Sequence, residues 1–148
     1  MNKIKRYLKY NKHKGGVNIT LRNLHKYKLI HGKPLDVTKY PIRSNLKFLK
    51  GHINAFREIF IPLYNKNKFD FSEIIKQVFF LVEREERLKG NEPPNSWKDL
   101  AKSIKDKNHI IHDVLQYRLH PTKEPKTRLK LLAKLQQYLK KLSKKYIK

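Results

Sequence analysis

Apolar residues in the middle of the chain recur three and four positions apart, which is the spacing of an amphipathic helix. The first such stripe consists of Leu49, Ile53, Phe56 and Phe60. Ser44 precedes the stripe and can accept a hydrogen bond from the first turn, whereas Pro62 ends or kinks a helix. The pattern therefore predicts a helix from Ser44 to about Ile61.

A second helix is predicted to begin at Asp70-Phe71-Ser72-Glu73, which fits a capping box. Gly90 supplies its stop signal. The inward positions are Ile74, Ile75, Val78, Val82 and Leu88. The last turns, Glu83–Arg87, mix acids with bases, and such a run is typical of a solvated face with surface salt bridges. We expect these turns to face water.

The sequence Ser96-Trp97-Lys98-Asp99 fits another capping box, just after the helix-breaking pair Pro93-Pro94. The apolar positions that follow are Trp97, Leu100, Ile104, Ile111, Val114 and Leu115. The pattern leaves open whether residues 96–119 form one helix or two helices broken near Lys107-Asn108. The phenylalanines predicted to lie in the core are Phe56, Phe60, Phe79 and Phe80.

The clearest pattern belongs to the last helix, which follows a linker between Pro121 and Pro125 and is predicted to be capped by Thr127. Its apolar stripe consists of Leu132, Leu135, Leu139, Leu142 and Tyr146. This stripe would dock on the body or on a neighbouring protein. Lysines fill the other faces, and like charges four residues apart destabilise a helix. An anionic surface would offset that repulsion.

The N-terminal part is less regular. Gly15-Gly16 ends any helix, the segment 17–30 fits a short strand as well as a helix, and Gly32 and Pro34 close that segment. Met1–Lys14 is either a retained arm or a targeting leader, and its lack of Ser and Arg enrichment favours the arm.

The predicted fold class is all-α. A basic N-terminal arm is predicted at residues 1–43, a small body of three to four helices at 44–120, and a linker with a basic amphipathic C-terminal helix at 121–148.

Charge is distributed unevenly over the 148 residues. There are 36 Lys and Arg residues against 12 Asp and Glu residues, a formal net charge of +24. Residues 1–35 carry a net +10 without a single acid, residues 36–120 a net +5, and residues 121–148 a net +9. So large a charge on a small body repels itself and calls for a polyanionic partner. Basic ends of this kind bind phosphate backbones and release counterions from them.

Several function classes are excluded or disfavoured. The absence of cysteine excludes disulfides and thiolate metal sites, and the longest apolar run, Val78–Val82, is far too short to span a bilayer. The chain has no Gly-rich phosphate loop and no nucleophile elbow. His109, His112 and Asp113 lack a further ligand at matched spacing. We predict no enzymatic activity, no cofactor, no metal site and no membrane span.

Two other interpretations stay open. Trp97–Leu119 has apolar spacing that resembles a helix-turn-helix, which would place His109–Tyr117 in a DNA major groove, although Lys105 stands where glycine is usual. This segment makes a DNA-binding regulator or architectural protein of a phage, virus or organelle the alternative. The basic C-terminal helix could also lie on an anionic membrane, but that interpretation leaves the N-terminal arm unexplained.

A small body with lysine-rich extensions resembles ribosomal proteins as a class. The predicted function is structural binding of ribosomal RNA in a ribonucleoprotein beside neighbouring proteins, with RNA favoured over DNA. The abundance of Lys, Asn and Ile suggests an A/T-rich genome, and a mitochondrial or divergent ribosome is favoured over a cytoplasmic location.

The predicted contacts fall into two sets. Tyr7, Tyr10 and Tyr27 are candidates for stacking on unpaired bases. The predicted phosphate contacts are Lys3, Lys5, Arg6, Lys9, Lys12, Lys14, Arg22, Lys26, Lys28, Lys126, Arg128, Lys130, Lys134, Lys140, Lys141, Lys144 and Lys145.

Overall fold

The computed structural model describes residues 44–147, together with Lys28, residues 30–34 and Asp36. The chain divides between Ser44 and Asn45 into two compact units. In the first unit, Gly32 has a φ of 97°, a left-handed conformation that favours glycine, where the sequence predicts the end of a segment. Residues 1–27 of the predicted arm lie outside the described residues.

The second unit opens with helix α1 (Asn45–Ala55), which passes through a π-helical turn (Phe56–Phe60) into helix α2 (Ile61–Asn65). In the wide turn the N–H of Ile61 donates to the carbonyl of Phe56, five residues back. Proline lacks an N–H, and its ring crowds the carbonyl four residues before it, so the wide turn ahead of Pro62 relieves that conflict. The helical path thus continues past the predicted stop.

Four further helices follow: α3 (Phe71–Leu88), α4 (Trp97–Ser103), α5 (Ile110–Leu119) and α6 (Pro125–Tyr146). The residues that the structure describes contain no β-strand, and the predicted all-α class is confirmed for them.

The helix starts show which caps the sequence predicted correctly. Ser96 Oγ accepts a hydrogen bond of 3.3 Å from the Asp99 N–H, so this cap is confirmed. Helix α3 begins where predicted, but the Asp70 side chain makes no capping hydrogen bond. The Thr127 cap is wrong: Glu124 is the N-cap of α6, because Pro125 is well suited to the first helical position.

The segment left open between one helix and two is broken at residues 104–109. Asp106 Oδ1 accepts the Asn108 N–H at 2.9 Å, and His109 Nδ1 accepts the Ile111 N–H at 3.2 Å. These side-chain acceptors take the place of helical carbonyls and start α5 afresh.

Helix α3 lies at the centre of the unit, with α1 and α5 packed against it, and α6 packs against α1 and α5. Phe56 and Phe79 are fully buried, whereas Phe60 and Phe80 are half-buried. The buried leucines of α6 are Leu131, Leu135, Leu139 and Leu142. Leu131 therefore takes the inward position predicted for Leu132, which is half-buried, and the last helix docks on its own body.

Candidate nucleic-acid interface

Helix α6 turns its leucines to the core and a set of lysines to solvent. Because the helix advances 3.6 residues per turn, the buried leucines share one side of it and the side chains of the other side point away from the core. Five lysines on this outer side are exposed, and we call them the lysine face: Lys126, Lys130, Lys140, Lys141 and Lys144. The leucine contacts hold the lysine face in a fixed orientation on the body.

The lysine face is electrostatically unpaired. None of its five members forms an ion pair within residues 44–147, and α6 itself contains no Asp or Glu. Between Lys126 and Lys144 the helix rises by about 27 Å. The result is an extended row of cations suited to a long polyanion rather than to a single small anion.

Three other basic residues of α6 that the sequence predicts as phosphate contacts have partners inside the body. Arg128 Nε donates to Tyr117 Oη at 3.2 Å and to the Thr122 carbonyl at 3.1 Å. Lys134 pairs with Asp113 of α5. Lys145 Nζ lies 4.0 Å from Glu85 Oε1 of α3. These side chains tie α6 to its neighbours and are not part of the lysine face.

Of the predicted contacts in the N-terminal arm, Lys28 is described and exposed. The other members of that set lie outside the described residues: Lys3, Lys5, Arg6, Tyr7, Lys9, Tyr10, Lys12, Lys14, Arg22, Lys26 and Tyr27. Their roles in phosphate contact and base stacking stay predictions.

The charged turns at the end of α3 do not all face water, which corrects the expectation for Glu83–Arg87. Glu85 is only 6% exposed. Its Oε2 accepts the Tyr138 hydroxyl at 2.5 Å, its Oε1 accepts the Tyr146 hydroxyl at 3.4 Å, and Lys89 Nζ lies 3.4 Å away. Burial, reinforced by the negative charge of Glu85, raises the pKa of Tyr138 well above its usual value, so the phenol stays a donor.

Sequence reasoning missed this buried carboxylate, although its spacing gave a signal. Glu85 follows Val78 and Val82 at steps of four and three, so it continues the buried stripe of α3. Tyr138 likewise follows Leu135 by three positions on α6. A charged residue in phase with a buried stripe indicates a partnered interior group rather than a solvated one.

The other acids of α3 are also partnered. Glu83 Oε1 lies 3.0 Å from Arg87 Nη2, and Glu73 Oε2 lies 3.7 Å from Lys76 Nζ. Burial opposes ionisation of Glu86, but hydrogen bonds from Lys89 and Asn91 outweigh it and lower the pKa of Glu86. Helix α3 is therefore neutralised by groups of the body itself.

His52 of α1 is a buried imidazole, 5% exposed, whose Nε2 lies 3.1 Å from Oε1 of Gln77 on α3. Its ring stacks on Phe56 with the centroids 5.2 Å apart. Burial, aided by the nearby positive charge of Arg84, lowers the pKa of His52 to about 3. The ring is neutral at physiological pH and serves the packing of α1 on α3.

The predicted candidate cluster of His109, His112 and Asp113 is dispersed among structural contacts. His109 accepts the Ile111 N–H and packs edge-on against Tyr138, while His112 Nε2 lies 3.0 Å from the Asp106 carbonyl. Asp113 is paired with a lysine of α6. Within the described residues, no group of three or more His, Cys, Asp or Glu side chains is arranged to hold a metal ion.

The geometry of α4 and α5 differs from that of a helix-turn-helix. Six residues separate the two helices, whereas the motif uses a turn of three or four. Helix α5, which would enter the major groove, buries Ile110, Ile111, Val114 and Tyr117. The opposite face of α5, with Asp113, Gln116 and Arg118, is exposed.

Across the described residues, no helix has both the length and the apolar character needed to cross a bilayer. The chain matches no protein-family model, no curated protein and no solved structure.

Proposed function

We propose that this protein binds structured RNA as a structural component of a ribonucleoprotein, with a ribosome of an organelle or a divergent lineage as the first candidate. The observation that carries the proposal is the lysine face, an exposed row of five cations without ion-pair partners in the described part of the chain. Phosphates of a folded RNA would supply the missing counter-charge.

Repulsion within α6 favours the same partner. Lys126 and Lys130 are four residues apart, as are Lys140 and Lys144, and each such pair destabilises an isolated helix by about 0.2–0.5 kcal/mol. The leucine contacts compensate for this cost in the free protein. Binding to phosphates would remove the repulsion altogether.

The other polyanionic partners fit less well. A membrane-bound amphipathic helix inserts its apolar face into the lipid, but the leucines of α6 are buried in the core. Duplex DNA read by α5 fits less well, because six residues separate α5 from α4 where a helix-turn-helix has a turn of three or four. Lysines that meet phosphates without reading bases suit RNA recognised by its shape.

The test compares the binding of the full chain to an RNA hairpin and to a DNA duplex of equal length at about 150 mM salt. In the key variant, Gln replaces all five lysines of the lysine face. The control variant carries Gln at five exposed lysines elsewhere that form no ion pair in the described chain: Lys66, Lys68, Lys105, Lys107 and Lys123. Both variants lose the same charge, so only the position of the lysines differs.

We expect the parent protein to prefer the RNA hairpin. The lysine-face variant should bind it about a hundredfold more weakly, with the slope of log K against log salt reduced by about 4, while the control keeps most of the slope. Equal losses in both variants would show that net charge alone drives binding and would contradict a localised interface. A preference for duplex DNA would overturn the RNA assignment.

The proposed ribonucleoprotein is tested by sedimentation of the endogenous protein. It should co-sediment with a large particle in a cell or organelle lysate and should leave that fraction after ribonuclease treatment. Unchanged sedimentation after ribonuclease would contradict an RNA-dependent assembly. Deletion of residues 1–35 should reduce incorporation into the particle if the predicted arm is also an anchor.

A further inference from the structure

The chain contains a single tryptophan, and it belongs to a stack of planar side chains that starts in the core. Phe79 of α3 is fully buried, and the Trp97 ring lies parallel to it, with 5° between the planes and 4.3 Å between the centroids. The Arg118 guanidinium carbon lies 4.8 Å from the Trp97 ring centroid. Because Phe79 covers one face of the indole, the guanidinium lies over the other face.

A surface pocket of about 410 Å³ opens beside this stack. Trp97 and Arg118 line it together with Leu119, an apolar side chain that is 47% exposed. Lys98 stands at the same pocket. Neither Arg118 nor Lys98 forms an ion pair within residues 44–147, so the pocket carries positive charge beside the planar groups of Trp97 and Arg118.

These features select a class of ligand. The guanidinium lies with one side on the indole and leaves its other side for a planar ring. An exposed leucine suits an apolar edge of that ring, and two unpaired cations suit an attached anion. A nucleotide combines a planar base with a phosphate. A carboxylate or a free phosphate would use the cations but would leave the stack without a partner.

We propose that the Trp97–Arg118 pocket binds an unpaired nucleobase of RNA, stacked on the side of the Arg118 guanidinium that faces away from Trp97, with Lys98 contacting the adjoining phosphate. This inference rests on the proposed function and deepens it, because it assigns unpaired nucleotides to the α4–α5 side of the body and paired backbone to the lysine face. Base stacking of this kind tolerates different sequences, since every base has a π-face.

The single tryptophan allows a direct test on the full chain. Its emission, excited selectively over that of tyrosine, is followed while a short oligoadenylate is added, and in parallel while inorganic polyphosphate is added. We expect a saturable change of Trp97 emission with oligoadenylate and none with polyphosphate, because only the former carries a base to stack. Equal changes with both ligands would make the pocket a phosphate site and overturn the proposal.

Arg118→Lys keeps the charge but removes the planar group. It should weaken oligoadenylate binding about five- to tenfold, as measured by anisotropy of the labelled oligonucleotide. Arg57→Lys, at another exposed arginine, is the matched control and should bind as the parent does. Trp97→Phe, which preserves an aromatic ring on Phe79, should retain more affinity than Trp97→Leu. Equal affinity in the Arg118→Lys variant and the parent would overturn the stacking role.

The failure of this inference can be told apart from the failure of the proposed function. In one outcome, the RNA hairpin binds through the lysine face, but oligoadenylate leaves Trp97 emission unchanged and binds the Arg118→Lys variant as tightly as the parent. The pocket is then not a base site, and the proposed role of the lysine face is retained. If oligoadenylate changes the emission while the lysine-face variant binds the hairpin as tightly as the parent, the pocket stands and the lysine face fails.

Discussion

Helices α3 and α6 are the two longest α-helices of the body, and both are rich in charged residues. They differ in whether those charges have partners within the body. Every acid of α3 has a cationic partner within the body, and one of these acids, Glu85, is buried. Helix α6 has no acid, and five of its lysines are exposed without ion pairs in the described part of the chain. Charge is therefore neutralised within the body at α3 and left unpaired on the outer side of α6.

The comparison teaches that the pairing of charges, rather than their density, distinguishes a cluster that stabilises the fold from the proposed binding surface. Lys145 makes the point within one helix. It is a lysine of α6, but its ammonium group lies near Glu85 of α3, so it belongs to the ion pairs around Glu85. The five lysines of the lysine face, by contrast, form no ion pair in the described part of the chain.

The largest expected effect on stability comes from removing the buried carboxylate. Glu85→Ala should lower the free energy of unfolding by about 3 kcal/mol, because the partly buried Tyr138 hydroxyl and the nearby Lys89 ammonium lose their acceptor. Urea unfolding measures the change. Glu58→Ala, at an exposed acid, is the control and should stay within about 0.5 kcal/mol of the parent. Equal losses of stability in both variants would show that the contacts of Glu85 do not stabilise the fold.

A smaller effect concerns acid sensitivity where α1 meets α3. His52 has a pKa of about 3 when folded and about 6.5 when unfolded, so below pH 6.5 the unfolded chain binds a proton that the folded chain excludes. Its contribution to stability falls by about 1.4 kcal/mol per pH unit, or about 2 kcal/mol at pH 5.

Urea titrations from neutral pH to about pH 5 test this dependence. His52→Asn should flatten it, even though the variant is less stable at neutral pH. His120→Asn controls for the loss of a surface imidazole. A pH dependence as steep in His52→Asn as in the parent would contradict a buried neutral ring.

The smallest expected effect has opposite signs on the two helices. On α6, replacing Lys140 and Lys144 with Gln should raise the free energy of unfolding by about 0.3 kcal/mol, because it relieves repulsion. On α3, Lys76→Gln removes the partner of Glu73 and should lower it by a similar amount. Thermal unfolding at low salt measures both changes. A destabilised α6 variant would mean that its lysines have partners and that the contrast between the helices is wrong.

Much of the fold could be predicted because it depends on local spacing. The periodic stripes located α1, α3 and α6, and the Ser96 cap located the start of α4. Local patterns were insufficient at Pro62, where a π turn lets the helix continue, and at Thr127, where Pro125 starts the helix earlier. In both cases a proline set the backbone geometry through constraints that span several residues.

The candidate site, too, has one part that the sequence predicts and another that it does not. The lysine face follows from the sequence, because positions opposite a leucine stripe must point outward once the stripe is buried. The exclusion of Arg128, Lys134 and Lys145 from that face does not follow, since their partners are 6 to 60 residues away along the chain. The stack of Phe79, Trp97 and Arg118 likewise joins three helices that sequence spacing does not bring together.

What the sequence determined by itself is the helical class, the location of the apolar stripes and the surplus of positive charge, because each depends on residue type and near neighbours. The tertiary structure alone decided which charges are neutralised and which stay open, because an ion pair or a ring stack forms only when packing brings distant side chains within a few ångströms of each other.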